Sequence, residues 1–299
     1  MIFFNQTYRT VLLMSFGLLM GCDQQPTAEQ QKQAQQLVNN TLNNMVFVEG
    51  GTFLMGDFGG KDGVSTLYYS PRKDNKFTHN VALDSFSISK SKVSWREYLL
   101  WIDLTNKPLP KSYIAIKEWT RYPPAKEFIK DDYLASVGWQ DAKDYCQWIG
   151  QQSGLPVDLP TEAQWEYAAR SQGQFLRYST DNGQFGTFVD PSSEPYIVLN
   201  KRKPNPLGLY DMLGNGWDWT NDWYDENYYS VSPEKNPQGP QSGTTKVARG
   251  SSGTSFLSNQ NIDRYAMEPI LNDITITGRG FRCAIQSPTP ISITENYNQ

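Results

Sequence analysis

Histidine is nearly absent from this chain: His79 stands alone among 299 residues. A three-histidine metal site is therefore excluded, and a Ser-His-Asp triad would have to be built on His79. Cysteine is scarce as well, with only Cys22, Cys146 and Cys283. Positive charge is not in excess: 27 Lys and Arg face 31 Asp and Glu, giving a net charge of −4. That excludes a nucleic-acid binder whose affinity comes from a basic face. Hydrophobic residues reach only 38%, low for a parallel-sheet enzyme but enough for a folded core. What the chain does have is aromatic residues, nine Trp, seventeen Tyr and fourteen Phe, together with 23 Gly and 18 Pro. This composition suits a loop-rich domain whose interior is aromatic rather than aliphatic.

Residues 1–22 read as a leader. Arg9 precedes an apolar stretch from Val11 to Met20, which has the length of a signal-peptide core and is too short for a membrane span. Leu19-Met20-Gly21-Cys22 resembles a bacterial lipobox, in which cleavage falls before the cysteine and the cysteine takes the lipids. Cys22 is thus the expected lipidation site, with an ordinary secretory leader as the alternative. Several acyl chains on one residue anchor stably where a single chain holds only marginally. Asp23 is a hint of retention at the inner membrane. The expected location is periplasm-facing, lipid-anchored to a bacterial membrane. Export puts the rest of the chain in an oxidising compartment. There Cys146 and Cys283 either form one disulfide or remain two buried thiols.

Residues 23–44 are rich in Gln and Asn and read as a polar tether, partly helical between Glu29 and Val38. From Met45 the texture changes. MVFVEGGTFLMGD, with Gly50-Gly51 at its centre, predicts strand, turn, strand. Val81, Leu83, Phe86 and Ile88 continue as strand. Ser94 predicts a helix N-cap, followed by Tyr98, Leu99 and Ile102. Residues 103–135 read as surface loop with short helical turns. Ala142, Tyr145, Cys146 and Trp148-Ile149 have helical spacing, and Thr161 predicts a second cap before Trp165 and Tyr167. Residues 286–299 read as a loose tail, and no internal repeat is visible.

Taken in order, several segments resemble the formylglycine-generating enzyme (sulfatase-modifying factor) family, whose architecture is related to C-type lectins. The segments are Met45 to Gly56; His79-Asn80-Val81; Phe86-Ser87-Ile88 to Val93-Ser94, similar to "FxIxxxEVT"; and Trp139, Ala142 and Tyr145-Cys146-Gln147-Trp148, similar to "VsWxxAxaYCxW". They continue with Leu159 to Arg170 (LPTEAQWEYAAR); Asn205 to Trp219, similar to "NxxGLYDMxGNVWEW"; Lys246 to Ser252; and Gly280 to Ala284. The resemblance implies a single irregular α+β domain over residues 45–285 with little regular secondary structure. It also implies a structural disulfide between Cys146 and Cys283. Trp139, Trp148, Trp165, Trp217 and Trp219 are expected in the core.

The family's oxidases bind Cu(I) through a C-x4-C pair, since soft thiolates suit that ion. Here the matching segment has Ser255 and Gln260, or in another register Leu257 and Ile262, so copper is not expected. The iron branch of the family uses histidines this chain lacks. A branch that tailors pyoverdine without the copper cysteines remains open. The family's calcium loop maps onto Asp211, Gly214, Gly216 and Asp218, and a structural calcium there stands beside a metal-free turn. Trp223, Tyr224, Tyr228 and Tyr229, in an acidic run, form a candidate recognition surface. The resemblance implies a non-catalytic module that binds a protein, such as a type VI secretion accessory or immunity protein whose partner is a secreted toxin or a secretion-system component. The alternatives are a copper-independent oxidoreductase or modifying enzyme, and a calcium-dependent lectin-like sugar binder.

Overall fold

Three helix starts are set by the same local chemistry. Thr27, Ser94 and Thr161 each accept a hydrogen bond from the backbone three residues on, and Gln30, Glu97 and Gln164 reach back to close a capping box. These caps open α1 (Ala28–Asn43), α2 (Trp95–Thr105) and α5 (Glu162–Ala169). Between them lie α3 (Lys111–Glu118) and α4 (Trp139–Ser153). Helix α4 starts at Gly138 without a side-chain cap and stops at Gly154 in the left-handed conformation. The computed structural model describes residues 25–118, 129–184, 198–251, 260–270 and 278–291. Cys22 and Asp23, with the whole 1–22 leader, lie outside the described residues, as do residues 292–299 of the tail.

The strands are short: β1 (Met45–Val48), β2 (Gly51–Met55), β3 (His79–Leu83), β4 (Phe86–Ser89), β5 (Val157–Asp158), β6 (Gly216–Trp223), β7 (Lys246–Ser251), β8 (Arg264–Met267), β9 (Arg279–Gly280) and β10 (Ala284–Ile285). They form sheets in the orders β1-β4-β10-β5, β2-β3 and β8-β7-β6-β9. All pairings are antiparallel except β6 with β9. The Gly50-Gly51 turn does separate two strands. They do not pair with each other, however: β1 joins β4 and β2 joins β3.

Residues 28–43 are not a tether. Leu37, Val38 and Leu42 are buried in the same core cluster as α2 and α4. The Gln-rich sequence holds a helix because Gln and Ala propagate one well, and one apolar stripe near its end is enough to dock it. That cluster is aromatic. Tyr145 lies 5.6 Å from Trp101 and 5.4 Å from Phe281 between ring centroids, and the Cys146–Cys283 disulfide lies within it. A second cluster packs β1 to β4 against α5, with Trp165 fully buried. Trp165 and Trp219 are core as expected. Trp139, Trp148 and Trp217 are only partly buried at the edge of the first cluster. Gln286, assigned to the loose tail, exchanges amide hydrogen bonds with Gln164 of α5.

Candidate functional site

The stretch expected to carry the oxidase's metal holds no thiol. Gln260 is fully buried. Its side chain accepts from Arg177 Nε at 2.9 Å and donates to the Tyr69 carbonyl at 3.1 Å. Ile262 is likewise buried. Ser255 and Leu257 lie outside the described residues. Cys146 and Cys283 are joined to each other, with Cα atoms 5.5 Å apart, as the resemblance implied. Of the chain's three cysteines, only Cys22 is left over.

The loop from Asp211 to Asp218 brings its expected residues together, but with different partners. Asp211 and Gly214 have positive φ, at 52° and 92°. Gly216, at φ 90°, is compulsory, because a Cβ there would lie 2.4 Å from Leu134 Cδ2 and 2.5 Å from the Gly278 carbonyl. Asp211 Oδ2 accepts from the Asn200 backbone at 2.9 Å. Asp218, at the heart of β6, accepts from Trp165 Nε1 and Arg282 Nε, each at 2.9 Å. The residue missed in the sequence is Lys92. Its fully buried ammonium donates to the Gly216 carbonyl at 2.7 Å and lies 3.3 Å from Asp218 Oδ2. Burial pushes Lys92 down to about 8, against the pull of Asp218. Asp218 would be raised by burial, but Arg282 and Lys92 hold it below the usual carboxylate value.

These residues do not fit calcium. The ion needs six to eight oxygens at roughly 2.3–2.6 Å. Here an ammonium already touches the Gly216 carbonyl and the Asp218 carboxylate, two of the four expected ligands. Asp211 Oδ1 and Asp218 Oδ1 are buried without a hydrogen bond, yet both carboxylates have cations beside them, Asp211 through Arg202 at 3.8 Å. Two carboxylates face three cations, and a divalent ion would raise that surplus in a buried site. Among the described residues no cluster of three His, Cys, Asp or Glu side chains could hold a metal. The signal for Lys92 was legible in principle, since the "FxIxxxEVT" motif carries Glu where this chain has Lys92.

Helix α5 carries a second buried charge network. All eight of its residues are buried, so its acids must find partners inside. Glu162 accepts from Arg249 at 2.8 Å, from Arg264 at 2.9 Å through two nitrogens, and from the Tyr229 hydroxyl at 3.0 Å. Glu166 accepts from Arg249 and Arg170, each at 2.8 Å. Burial acts to raise Glu162, and Arg264 and Arg249 overcome it. For Asp222 the relief from Arg264, Lys246 and the Glu162 backbone is too weak. Burial, with repulsion from Glu162, pushes it up to about 7, while its Oδ2 accepts from the Glu162 backbone at 2.8 Å.

Tyr229 is therefore core and not recognition surface: it is 2% exposed, its hydroxyl tied to Glu162. Trp223, Tyr224 and Tyr228 are half-buried beside exposed Asp225 and Glu226. Tyr224 donates to Asp74 at 2.7 Å. Trp223 and Trp139 hold the Lys246 ammonium between their rings, 3.6 and 3.7 Å from the centroids. His79 rests against the Tyr229 ring at 4.8 Å. Burial lowers its pKa, and its Nδ1 lies 3.4 Å from the Phe77 carbonyl. Among the described residues no serine or carboxylate hydrogen-bonds to its ring.

Among the described residues, three small sheets, five α-helices and an interior tied by one disulfide and buried ion pairs define an irregular α+β domain. The chain belongs to the sulfatase-modifying factor enzyme 1-like family, whose domain matches residues 29–287. It is 31% identical over 255 residues to the serine/threonine-protein kinase pkn1 of Chlamydia caviae, covering 80% of this chain but 37% of that protein. It is 33% identical over 168 residues to the formylglycine-generating enzyme of Streptomyces coelicolor, covering 50% of this chain and 52% of the enzyme. The chain thus spans about half or less of these relatives. The structure of PvdO from Pseudomonas aeruginosa matches with a TM-score of 0.62 over 81% of this chain and 94% of that one. At 20% identity that likeness speaks for the fold alone.

Proposed function

We propose that this chain is a non-catalytic member of its family, a protein-binding module held at a bacterial membrane through lipid on Cys22 and facing the periplasm. One observation carries the reading: of three cysteines, two are spent on a buried disulfide, and the third is Cys22, in the segment read as a leader. No pair of thiolates is left for Cu(I), and neither Gln260 nor Ile262 can replace one. The half-buried rings of Trp223, Tyr224 and Tyr228, rimmed by Asp225 and Glu226, supply the mix of aromatic area and polar edge that protein interfaces use. The specific form of the proposal is an accessory or immunity protein of a type VI secretion locus, with a secreted toxin or secretion-system component as partner. That form rests on family analogy. The sugar-binding alternative loses its support with the calcium it required.

The test has two arms. Purified protein is incubated with Cu(I), oxygen and a cysteine-bearing peptide, and aldehyde product and oxygen uptake are measured. It is then titrated against the product of the neighbouring gene. The expected results are no aldehyde and a saturable complex weakened by Glu226→Lys. Aldehyde formation above the peptide-only control refutes the non-catalytic reading. Absence of a complex refutes the immunity form.

A further inference from the structure

We propose that Lys92 is a built-in cation that takes the place of a divalent metal in the Asp211–Asp218 loop, and that replacing it turns the domain into a calcium-dependent one. The geometry is that of an ion site with a tethered occupant. The ammonium sits against a backbone carbonyl of a tight glycine turn, Gly216, and against the carboxylate of Asp218, at 2.7 and 3.3 Å. Lys92 is 1% exposed and Asp218 fully buried. Its contacts join three segments: Lys92 lies just after β4, Gly216 opens β6, and Arg282, which shares Asp218, lies just before β10. A metal in such a place fixes the relative position of loops, and the ammonium does the same without an equilibrium with free ion.

Charge arithmetic points the same way. Replacing Lys92 by Glu and adding one Ca²⁺ leaves the total charge of the cluster unchanged, because a lysine's single positive charge equals a carboxylate plus a divalent cation. The donor set then becomes three carboxylates and at least one carbonyl, all hard oxygen, as calcium requires. Asp211 Oδ1 and Asp218 Oδ1 are already buried with no hydrogen bond, Asp211 Oδ1 lying 3.8 Å from Arg202, so two oxygens can turn to an ion once the ammonium has gone. Without calcium the same variant brings a third carboxylate into a buried space and is strongly destabilised.

The experiment uses terbium and calcium as probes. Trp165 donates to Asp218 at 2.9 Å, so Tb³⁺ bound there is excited through its indole. Wild-type protein is expected to show no sensitised Tb³⁺ emission that calcium displaces, and the same melting temperature in CaCl2 and in EDTA. Lys92→Glu is expected to fold only with calcium, to gain Tb³⁺ emission, and to bind calcium with a Kd on the order of 0.1–1 mM, the range of extracellular calcium modules. Lys92→Gln, neutral and nearly isosteric, is the second variant. It should fold without the ion and gain a melting-temperature rise with calcium, which Asp218→Asn in the same background removes. A calcium-dependent melting temperature in wild-type protein overturns the proposal. So does a folded Lys92→Gln protein that is indifferent to calcium.

Discussion

Removing the Cys146–Cys283 link by the double substitution Cys146→Ala and Cys283→Ala should cost this domain a large part of its stability. The bond spans 137 residues of sequence. In the chain-entropy treatment a loop of that length corresponds to about 5 kcal/mol at 25 °C. The structure gives a reason for the cost to be felt fully. Cys283 lies between Arg282 and β10, and its carbonyl accepts from the Ser89 backbone at 2.9 Å and the Ser89 hydroxyl at 3.1 Å. The link thus pins the central strand of one sheet to α4, across the aromatic cluster. Both cysteines are fully buried, so the substitution also leaves a small void. For a domain of this size each kcal/mol moves the midpoint by roughly 2–4 °C, so the variant should melt about 10–20 °C lower. Thermal unfolding followed by circular dichroism reads this directly, with urea titration as a second measure. A variant melting within about 3 °C of wild type would show that residual structure in the unfolded chain removes the entropic gain, and would refute the reasoning.

Asp222→Asn should remove a pH dependence. The carboxyl sits at about 7 in the fold, above its unfolded value, so the fold binds the extra proton. Its stabilising contribution is complete below about pH 4 and is lost as pH rises through 7, with a ceiling of about 4 kcal/mol. The amide keeps an acceptor for the Glu162 backbone. Urea titrations at pH 5 and pH 8 should show wild type losing more than the variant, and equal losses would count against the assignment. Tyr229→Phe should cost about 1.5–3 kcal/mol through its bond to charged Glu162, and leave partner binding unchanged when measured on folded protein. Arg282→Lys, though it conserves charge, should cost about 3–5 kcal/mol. A stability within about 1 kcal/mol of wild type would show that the guanidinium's carbonyl contacts contribute little.

Local rules made much of this fold readable. Ser94 and Thr161 cap helices as their side chains dictate, and the spacing of Ala142, Tyr145 and Cys146 gave the inner face of α4. Contacts between residues distant in sequence are less legible. A helix between Glu29 and Val38 is legible in the sequence, but its docking is not, because the polar majority hides the stripe of Leu37, Val38 and Leu42, whose value depends on neighbours distant in sequence. Tyr229 sits among exposed acidic residues in sequence, but in the fold its hydroxyl meets Glu162, 67 positions away. The Asp211–Asp218 loop is legible in the sequence as one turn-rich motif. Its occupant was missed because Lys92 lies 124 positions from Gly216, and only its departure from the motif's Glu pointed there.

The buried arginines follow from the same shortage of regular structure that makes this fold hard to read. In a domain of short strands many interior carbonyls have no ladder partner, and each must still be satisfied. A guanidinium offers five donors in a planar fork. Arg282 donates to the carbonyls of Ser89, Lys90 and Tyr210 as well as to Asp218. Arg170 donates to those of Leu54, Gly173 and Gln174 as well as to Glu166. Arg264 reaches the carbonyls of Asp74 and Asp225, and Arg249 that of Asn261. Each arginine therefore ties together segments distant in sequence, and each needs a carboxylate to balance its charge. Glu162, Glu166 and Asp218 meet that need from α5 and β6. Lys92 fits the same pattern with a single point charge. It satisfies one turn carbonyl and one carboxylate, the kind of contact a bound ion would otherwise have to make.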